Sequence, residues 1–273
     1  MTEELAFADW LRLREEADGA ARAVDLVEQV HRRLPGAGAT VIHDLGAGTG
    51  SMGRWLAPRL PGPQRWVLHE RDDDLLASAV AGLTGVHAAD GTPVTVETRR
   101  GDLTRLAPAD LDGAALVTAS ALLDMLTVDE VERTVAALVG AGCPALLMIS
   151  VVGRVRLTPA DPLDADLTAA FNDHQRRTVA GRTLLGPDAP AACVAAFTRH
   201  GVTVRTRPSP WVLGADRAAL ALAWLAGWLA AAVEQRPDLA APAAGYAHRR
   251  RADVAAGRLT VVVDHVDLLA GCG

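Results

Sequence analysis

Residues 42–58 read IHDLGAGTGSMGRWLAP, and two glycine patterns overlap within them. Gly48, Gly50 and Gly53 fit G-x-G-x-x-G, a spacing that lets backbone N–H groups approach a dinucleotide pyrophosphate at a helix start. The register favours another set. In a dinucleotide turn the first glycine follows the strand directly, which here makes Gly46, Gly48 and Gly50 the turn and leaves Ser51 in the third glycine's place. Asp44, at the end of that strand, sets the charge of the ligand: it repels a pyrophosphate and accepts from an ammonium group. A nucleoside with a positively charged amino-acid part suits these residues.

More chemistry-bearing residues follow at telling intervals. Glu70 stands twenty residues after Gly50, the spacing at which an acidic side chain reaches ribose hydroxyls. Asp102 lies in Gly101-Asp102-Leu103. Asp72, Asp73 and Asp74 read as a helix start, where acids complement the dipole. His174, in FNDHQRR, is the candidate general base, just after a fifth strand where parallel strand ends open onto a crevice. Its rival reading is a helix-surface histidine. Arg176 and Arg177 could hold an acidic substrate or simply solvate a helix. Trp211, in RPSPWVL, could wall an aromatic pocket, while Trp224 and Trp228 suit a core or a dimer seam.

These residues need elements to position them. Apolar periodicity predicts strands over 40–43, 65–69, 94–99, 114–118 and 145–151, with helices over 52–60, 74–83 and 128–139 between them. Such alternation implies a parallel sheet with right-handed crossovers. Two helices precede it, from Glu3 to Leu34, interrupted near Gly19 and stopped at Pro35-Gly36. Beyond Val152 the pattern loosens into a polar loop, helices over 171–177 and 189–200, and a strand over 202–207. An apolar helix over 216–235, a shorter one over 246–256 and a last strand over 259–265 complete the reading.

Composition narrows the class. The 273 residues carry a formal charge of −6, which disfavours a protein held to nucleic acid by phosphate contacts. Every Lys or Arg is an arginine, so a Schiff-base or P-loop lysine is excluded. Cys143, Cys193 and Cys272 lack C-x-x-C spacing, which fits a reducing cytoplasm and no zinc site. The acidic start MTEELAFADW does not read as a signal peptide. The apolar run over 218–233 falls short of the roughly 20 residues that span a bilayer. It reads as a buried or interface helix, so a homodimer through 216–235 is one expectation.

The segment DLGAGTG, Asp44 to Gly50, resembles the first motif of class I S-adenosylmethionine-dependent methyltransferases. The likeness continues in order through Glu70, Gly101-Asp102-Leu103 and VTASALLDML, Val117 to Leu126. LRLREEADGAAR, FNDHQRR and LGPDA are similar to a group of stand-alone bacterial methyltransferases. The resemblance implies an α/β fold: a Rossmann-like, seven-stranded, mostly parallel sheet with an antiparallel last strand, helices on both faces and an N-terminal helical cap. Residues 1–37 would be the cap, and 38–273 the methyltransferase domain with helical lid insertions at about 153–195 and 208–257. It implies S-adenosylmethionine as cofactor, held by Asp44, Gly46, Ala47, Gly48, Gly50, Glu70, Arg71, Asp102, Leu103, Thr118, Ala119 and Ser120.

The expected reaction is in-line methyl transfer to oxygen or nitrogen of a small-molecule acceptor, where positioning supplies much of the rate. Candidate acceptor contacts are Asp124, Asn172, Arg176 and Trp211. No metal set emerges, because in Asp264-His265-x-Asp267 a strand turns His265 away from Asp264. Arg14, Asp18 and Arg22 recur every fourth residue and read as an ion-paired exposed face, although the resemblance would let Arg14 or Arg22 meet the cofactor carboxylate. His248 to Arg251 reads as a solvated face. The expected setting is cytoplasmic, without nucleic acid or membrane partners. Two rivals stand beside this reading: an NAD(P)-dependent oxidoreductase, and a non-catalytic nucleoside-binding partner protein.

Overall fold

A computed structural model describes residues 6–34 and 38–271. The expected helix start at Glu3, the stop at Pro35-Gly36 and Cys272 lie outside the described residues. Helices α1 (Phe7–Ala21) and α2 (Val24–His31) come first. The sheet then begins with β1 (Thr40–Leu45), α3 (Ser51–Leu56), β2 (Gln64–Glu70), α4 (Asp73–Leu83), β3 (Thr95–Arg100), β4 (Leu116–Ser120), α5 (Val128–Ala141) and β5 (Ala145–Thr158). After it come α6 (Asp164–Gln175), the small hairpin β6 (Thr178–Val179) and β7 (Arg182–Thr183), and α7 (Ala189–Arg199). The chain ends through β8 (Val204–Pro208), β9 (Trp211–Leu213), α8 (Ala218–Gln235), α9 (Ala240–Ala255) and β10 (Thr260–Ala270).

Local chemistry fixes several of these boundaries. Asp72 caps α4, its side chain accepting from the backbone N–H groups of Asp74 and Leu75, while Asp73 and Asp74 complement the dipole in the first turn. Thr127 and Glu130 form a reciprocal capping box at the start of α5. Gly53 sits inside α3, where an added Cβ would lie 2.8 Å from Leu83 of α4. Its glycine identity therefore answers to helix packing, away from the turn.

The strand order is β3-β2-β1-β4-β5-β10-β8, with β1 to β5 parallel and β10 antiparallel to β5, β8 and β9. Pro208 pairs with Val266 and Trp211 with Val263, so β8 and β9 keep one register and form a single edge strand broken at 209–210. The Rossmann-like α/β sheet with its antiparallel last strand is thus present, with the seventh position split in two.

Three differences from the sequence expectation have physical causes. Strand β5 runs to Thr158 because VGRVRL is a half-solvated strand, with Arg154 and Arg156 both bonded to Asp264 on β10. The register slips along this long pair, and Ile149 and Gly153 take positive φ within it. Arg250, expected on a solvated face, is buried: it donates to the Pro159 carbonyl and to Asp164. Trp224 and Trp228 stack at 5.1 Å inside the chain beside Tyr246, so that pair serves the core.

Burial falls on both faces of the sheet. Leu26, Val30, Trp55, Leu56, Leu76 and Leu83 of the helices α2 to α4 cover Ile42, Trp66 and Leu68 on one face. Val131, Val135 and Leu138 of α5 and Phe197 of α7 cover Leu45, Val117 and Leu147 on the other. A third apolar cluster joins α6, α8 and α9 to the outer lengths of β5 and β10, and takes in Ala17 of α1.

Candidate functional site

At the carboxyl ends of β1, β2 and β4 a cleft of about 610 Å³ opens, within the roughly 300–1,000 Å³ usual for small-molecule sites. The turn after β1 forms its floor. Gly46, Gly48 and Gly50 all have positive φ, at 66°, 53° and 83°, which glycine adopts without a Cβ clash. The Gly46 and Ala47 N–H groups donate to the His69 carbonyl at 2.9 and 3.0 Å, and Gly50 lies so close to Ala79 of α4 that a Cβ would sit 3.1 Å from its Cα. The turn is held to the neighbouring strand and helix.

Asp44 is the buried acid of this floor. Thr118 donates its hydroxyl to Oδ1 at 2.7 Å, and Oδ2 has no partner. Burial pushes the carboxyl up to about 7, against the opposing pull of the Thr118 hydrogen bond and the Arg22 charge. Glu70 closes β2 with both oxygens engaged by backbone: Oε2 accepts from Gly48 N–H at 3.1 Å, Oε1 from Arg71 and Asp72 N–H at 2.8 and 3.3 Å. Asp102 is more exposed and accepts from Thr104 N–H, which holds its carboxyl below the usual range.

The N-terminal helix supplies a wall. Phe7, Trp10, Leu11, Arg14 and Asp18 of α1 all line the cleft. Arg14 grips Asp18 with two hydrogen bonds of 2.9 and 3.1 Å, and Trp211 Nε1–H donates to the same Asp18 at 2.9 Å. Arg54 of α3 ties α1 from the other side through a bidentate bond to Glu15. Arg22, just past α1, is buried beneath the turn and donates to Ser120 at 3.1 Å and Ser51 at 3.4 Å. Arg14, Asp18 and Arg22 were expected on an exposed face; packing of α1 against β9 and α8 buries Asp18 and Arg22 instead.

Asp44, Gly46, Ala47, Gly48, Glu70, Arg71, Asp102, Leu103, Ser120 and Asp124 come together around this cleft. Gly50 and Thr118 sit behind them as supports, and Ala119 packs into the core on the other face. His174, Asn172 and Arg176 are elsewhere. His174 lies on α6, 3.3 Å from Glu234 of α8; Asn172 donates to the Gly153 carbonyl at 2.8 Å; Arg176 is bidentate to Asp188. The cause is the length of β5. Its seven residues beyond the expected end carry the chain about 20 Å past the crevice at strand rise. Trp211 also lies outside the lining, behind Asp18.

Sequence reasoning missed Phe7, Trp10, Leu11, Met125, Leu126 and Arg182 of the lining. Arg182 reaches it from the small hairpin and is fixed by Glu130 at 2.7 and 2.8 Å and by the Met125 carbonyl at 3.0 Å. No local signal marks it. From the two stretches expected as lid, Arg182 is the one described residue in the lining. Among the described residues no group of three His, Cys, Asp or Glu converges as a metal site; Asp267 instead accepts from Ala23 N–H, Ile149 N–H and the Ser209 hydroxyl.

Neither protein-family models nor curated proteins match this chain. Among solved structures it is similar to a mitomycin 7-O-methyltransferase at 22% identity and TM-score 0.43, covering 68% of this chain and 50% of that one. It is also similar to a cyclopropane synthase from Mycobacterium tuberculosis at 12% identity and TM-score 0.49, covering 90% and 83%. A third is an S-adenosylmethionine-dependent methyltransferase from Geobacter sulfurreducens in complex with S-adenosyl-L-homocysteine, at 16% identity and TM-score 0.43, covering 94% and 97%. The chain thus spans half the length of the mitomycin enzyme.

Proposed function

We propose that the cleft binds S-adenosylmethionine and that the protein transfers its methyl group to oxygen or nitrogen of a small-molecule acceptor. The observation that carries this reading is the orphaned Oδ2 of Asp44. A buried carboxylate oxygen without a donor costs free energy until one arrives, and an ammonium group supplies both the hydrogen bond and the opposite charge. The chain's own residues divide the rest of the cofactor. Ser120 and the Arg14 and Arg22 charges suit the carboxylate end, Glu70 the ribose hydroxyls, and Arg71, Asp102 and Leu103 the base. The Gly46-Ala47-Gly48 turn lets backbone come close beneath it.

When bound, the cofactor supplies a sulfonium-activated methyl group. The protein then has to orient the acceptor in line with it and exclude water. Helix α1 is the cover for this step in the proposal, with Arg182 contributing from the 153–195 stretch. Residues 1–37 act as the cap in that sense, and 38–273 as the body that carries the sheet.

A pyrophosphate fits less well. The Gly48 N–H that would cradle it is already donated to Glu70, Asp44 repels it, and α3 has only six residues to lend a dipole. Calorimetry with S-adenosylhomocysteine and with NADH in parallel tests the choice. Binding of the first supports the proposal. Binding of NADH alone overturns it in favour of an oxidoreductase, and binding of neither favours a partner-binding role.

The formal charge of −6 supports a small acceptor over a nucleic acid, and we extend the reading to small-molecule metabolism in a bacterial cytoplasm, without a membrane partner. A homodimer through α8 would have to use its outward side, where Leu222 is exposed; sedimentation velocity decides it.

A further inference from the structure

The cleft is lined by apolar side chains to which the nucleoside reading gives no role. Its lining includes Phe7 and Trp10 from α1 and Met125 and Leu126 from the turn after β4, while Leu11 belongs to the glycine turn, 3.1 Å from where a Gly48 Cβ would stand. Phe7 and Met125 are 64% and 49% exposed, and both belong to the short set of large apolar side chains left open to solvent. Exposed apolar groups gathered at the mouth of a concave site mark a binding surface.

Beside Met125 in sequence, Asp124 lines the same cleft. The other charged groups facing the cleft have partners or lie at the nucleoside end. Arg14 and Asp18 hold each other, Arg182 holds Glu130, Asp44 is bonded to Thr118, and Glu70 and Asp102 accept backbone N–H groups. Arg71 and Asp72 follow Glu70 at the end of β2. Asp124 makes no hydrogen bond or ion pair with another side chain among the described residues, and it is half-buried in the cleft wall.

Resting on the methyltransferase reading, we propose that Phe7, Trp10, Met125 and Leu126 receive a neutral, apolar hydroxyl compound of the phenol class and that Asp124 is its general base. An amine attacks through a lone pair it already has; a hydroxyl oxygen becomes a good nucleophile as its proton leaves. In the step, the oxygen's electron pair forms the new O–CH3 bond and the S–CH3 bond breaks. The bonding pair stays on sulfur as a neutral thioether, and the hydroxyl proton goes to the Asp124 carboxylate. Charge and atoms balance without a further reactant. Burial raises the Asp124 carboxyl above its usual range, with its own backbone N–H and the Arg14 charge opposing, which makes it a stronger base than a solvated aspartate.

The test uses the full chain with 2-naphthol as the acceptor probe. Binding is followed by its fluorescence in saturating S-adenosylhomocysteine, and turnover by transfer of a labelled methyl group from S-adenosylmethionine. Wild type should bind and methylate 2-naphthol, with kcat/KM falling at acid pH as the base is protonated. Asp124→Asn should bind S-adenosylhomocysteine as wild type does, lose about 10²–10⁴-fold in kcat, and lose the acid limb assigned to Asp124. Asp124→Glu should recover part of the rate. If S-adenosylhomocysteine binds but 2-naphthol neither binds nor is methylated, the proposal is overturned and the cofactor reading stands. An Asp124→Asn enzyme with unaltered kcat and pH profile overturns it too. Failure of S-adenosylhomocysteine to bind wild type would instead remove the underlying function.

Discussion

Thr118 and Asp44 sit opposite each other on β4 and β1, and the Thr118 hydroxyl donates to Asp44 Oδ1 at 2.7 Å. This one bond orients the carboxylate and leaves Oδ2 without a partner, the atom that the proposal gives to the cofactor's ammonium group. Thr118→Val should therefore weaken S-adenosylhomocysteine binding although Thr118 itself does not line the cleft. A loss of about 1 kcal/mol is expected for one hydrogen bond, read by calorimetry as roughly a fivefold rise in Kd.

Asp44 also makes stability depend on pH. Its folded carboxyl is pushed up to about 7, above the unfolded value of about 4, so folding favours the protonated form. That contribution is fully present below pH 4 and is lost as pH rises through 7. Asp44→Asn should gain stability relative to wild type between pH 5 and 8, in urea denaturation, while its S-adenosylhomocysteine affinity falls. A stability difference that is flat across that range would contradict the assignment.

Glu70→Ala should weaken cofactor binding by about 1–3 kcal/mol, the cost of leaving polar partners unpaired. The Gly48, Arg71 and Asp72 N–H groups lose their acceptor at the same time, so amide protection at these three positions, read by hydrogen exchange, should drop in the free protein.

His174 gives the contrast. It packs between α6 and α8 near Glu234, away from the cleft, so His174→Ala should lower the urea midpoint and leave both kcat and S-adenosylhomocysteine affinity unchanged. A selective fall in kcat would return it to the reaction.

Gly53→Ala should cost about 1–3 kcal/mol of stability by overpacking, since its Cβ would meet Leu83. Gly48→Ala, which forces a Cβ onto a residue at φ 53°, should instead act mainly on cofactor affinity. Chemical denaturation and calorimetry on the two variants separate packing glycine from turn glycine.

The floor of the cleft was legible because Asp44, the glycines, Glu70 and Asp102 follow consecutive strand ends, where local sequence and spatial position coincide. The wall was not. Arg14, Asp18 and Arg22 show the spacing of a solvated helix, and only Trp211, distant in sequence, turns Asp18 inward. His174 was misplaced by one misread strand end: Arg154 and Arg156 look like loop until Asp264 is set between them. Arg250 was misread likewise, since a run of arginines says nothing of the Asp164 that one of them meets. Tertiary partners decide the fate of such polar groups, and periodicity cannot see them.

The Ala23 N–H donates to Asp267 across a separation of 244 residues. The chain is made from its first helix to its last strand, so α1 leaves the ribosome long before β10 exists to anchor the segment that follows it. The glycine turn, Asp44 and Glu70 are made by then and α1 can already reach α3 through Glu15 and Arg54, but the Asp18 bond to Trp211 has to wait for β9. A nascent chain would therefore build the floor of the cleft well before β9 and β10 fix the α1 wall beside it.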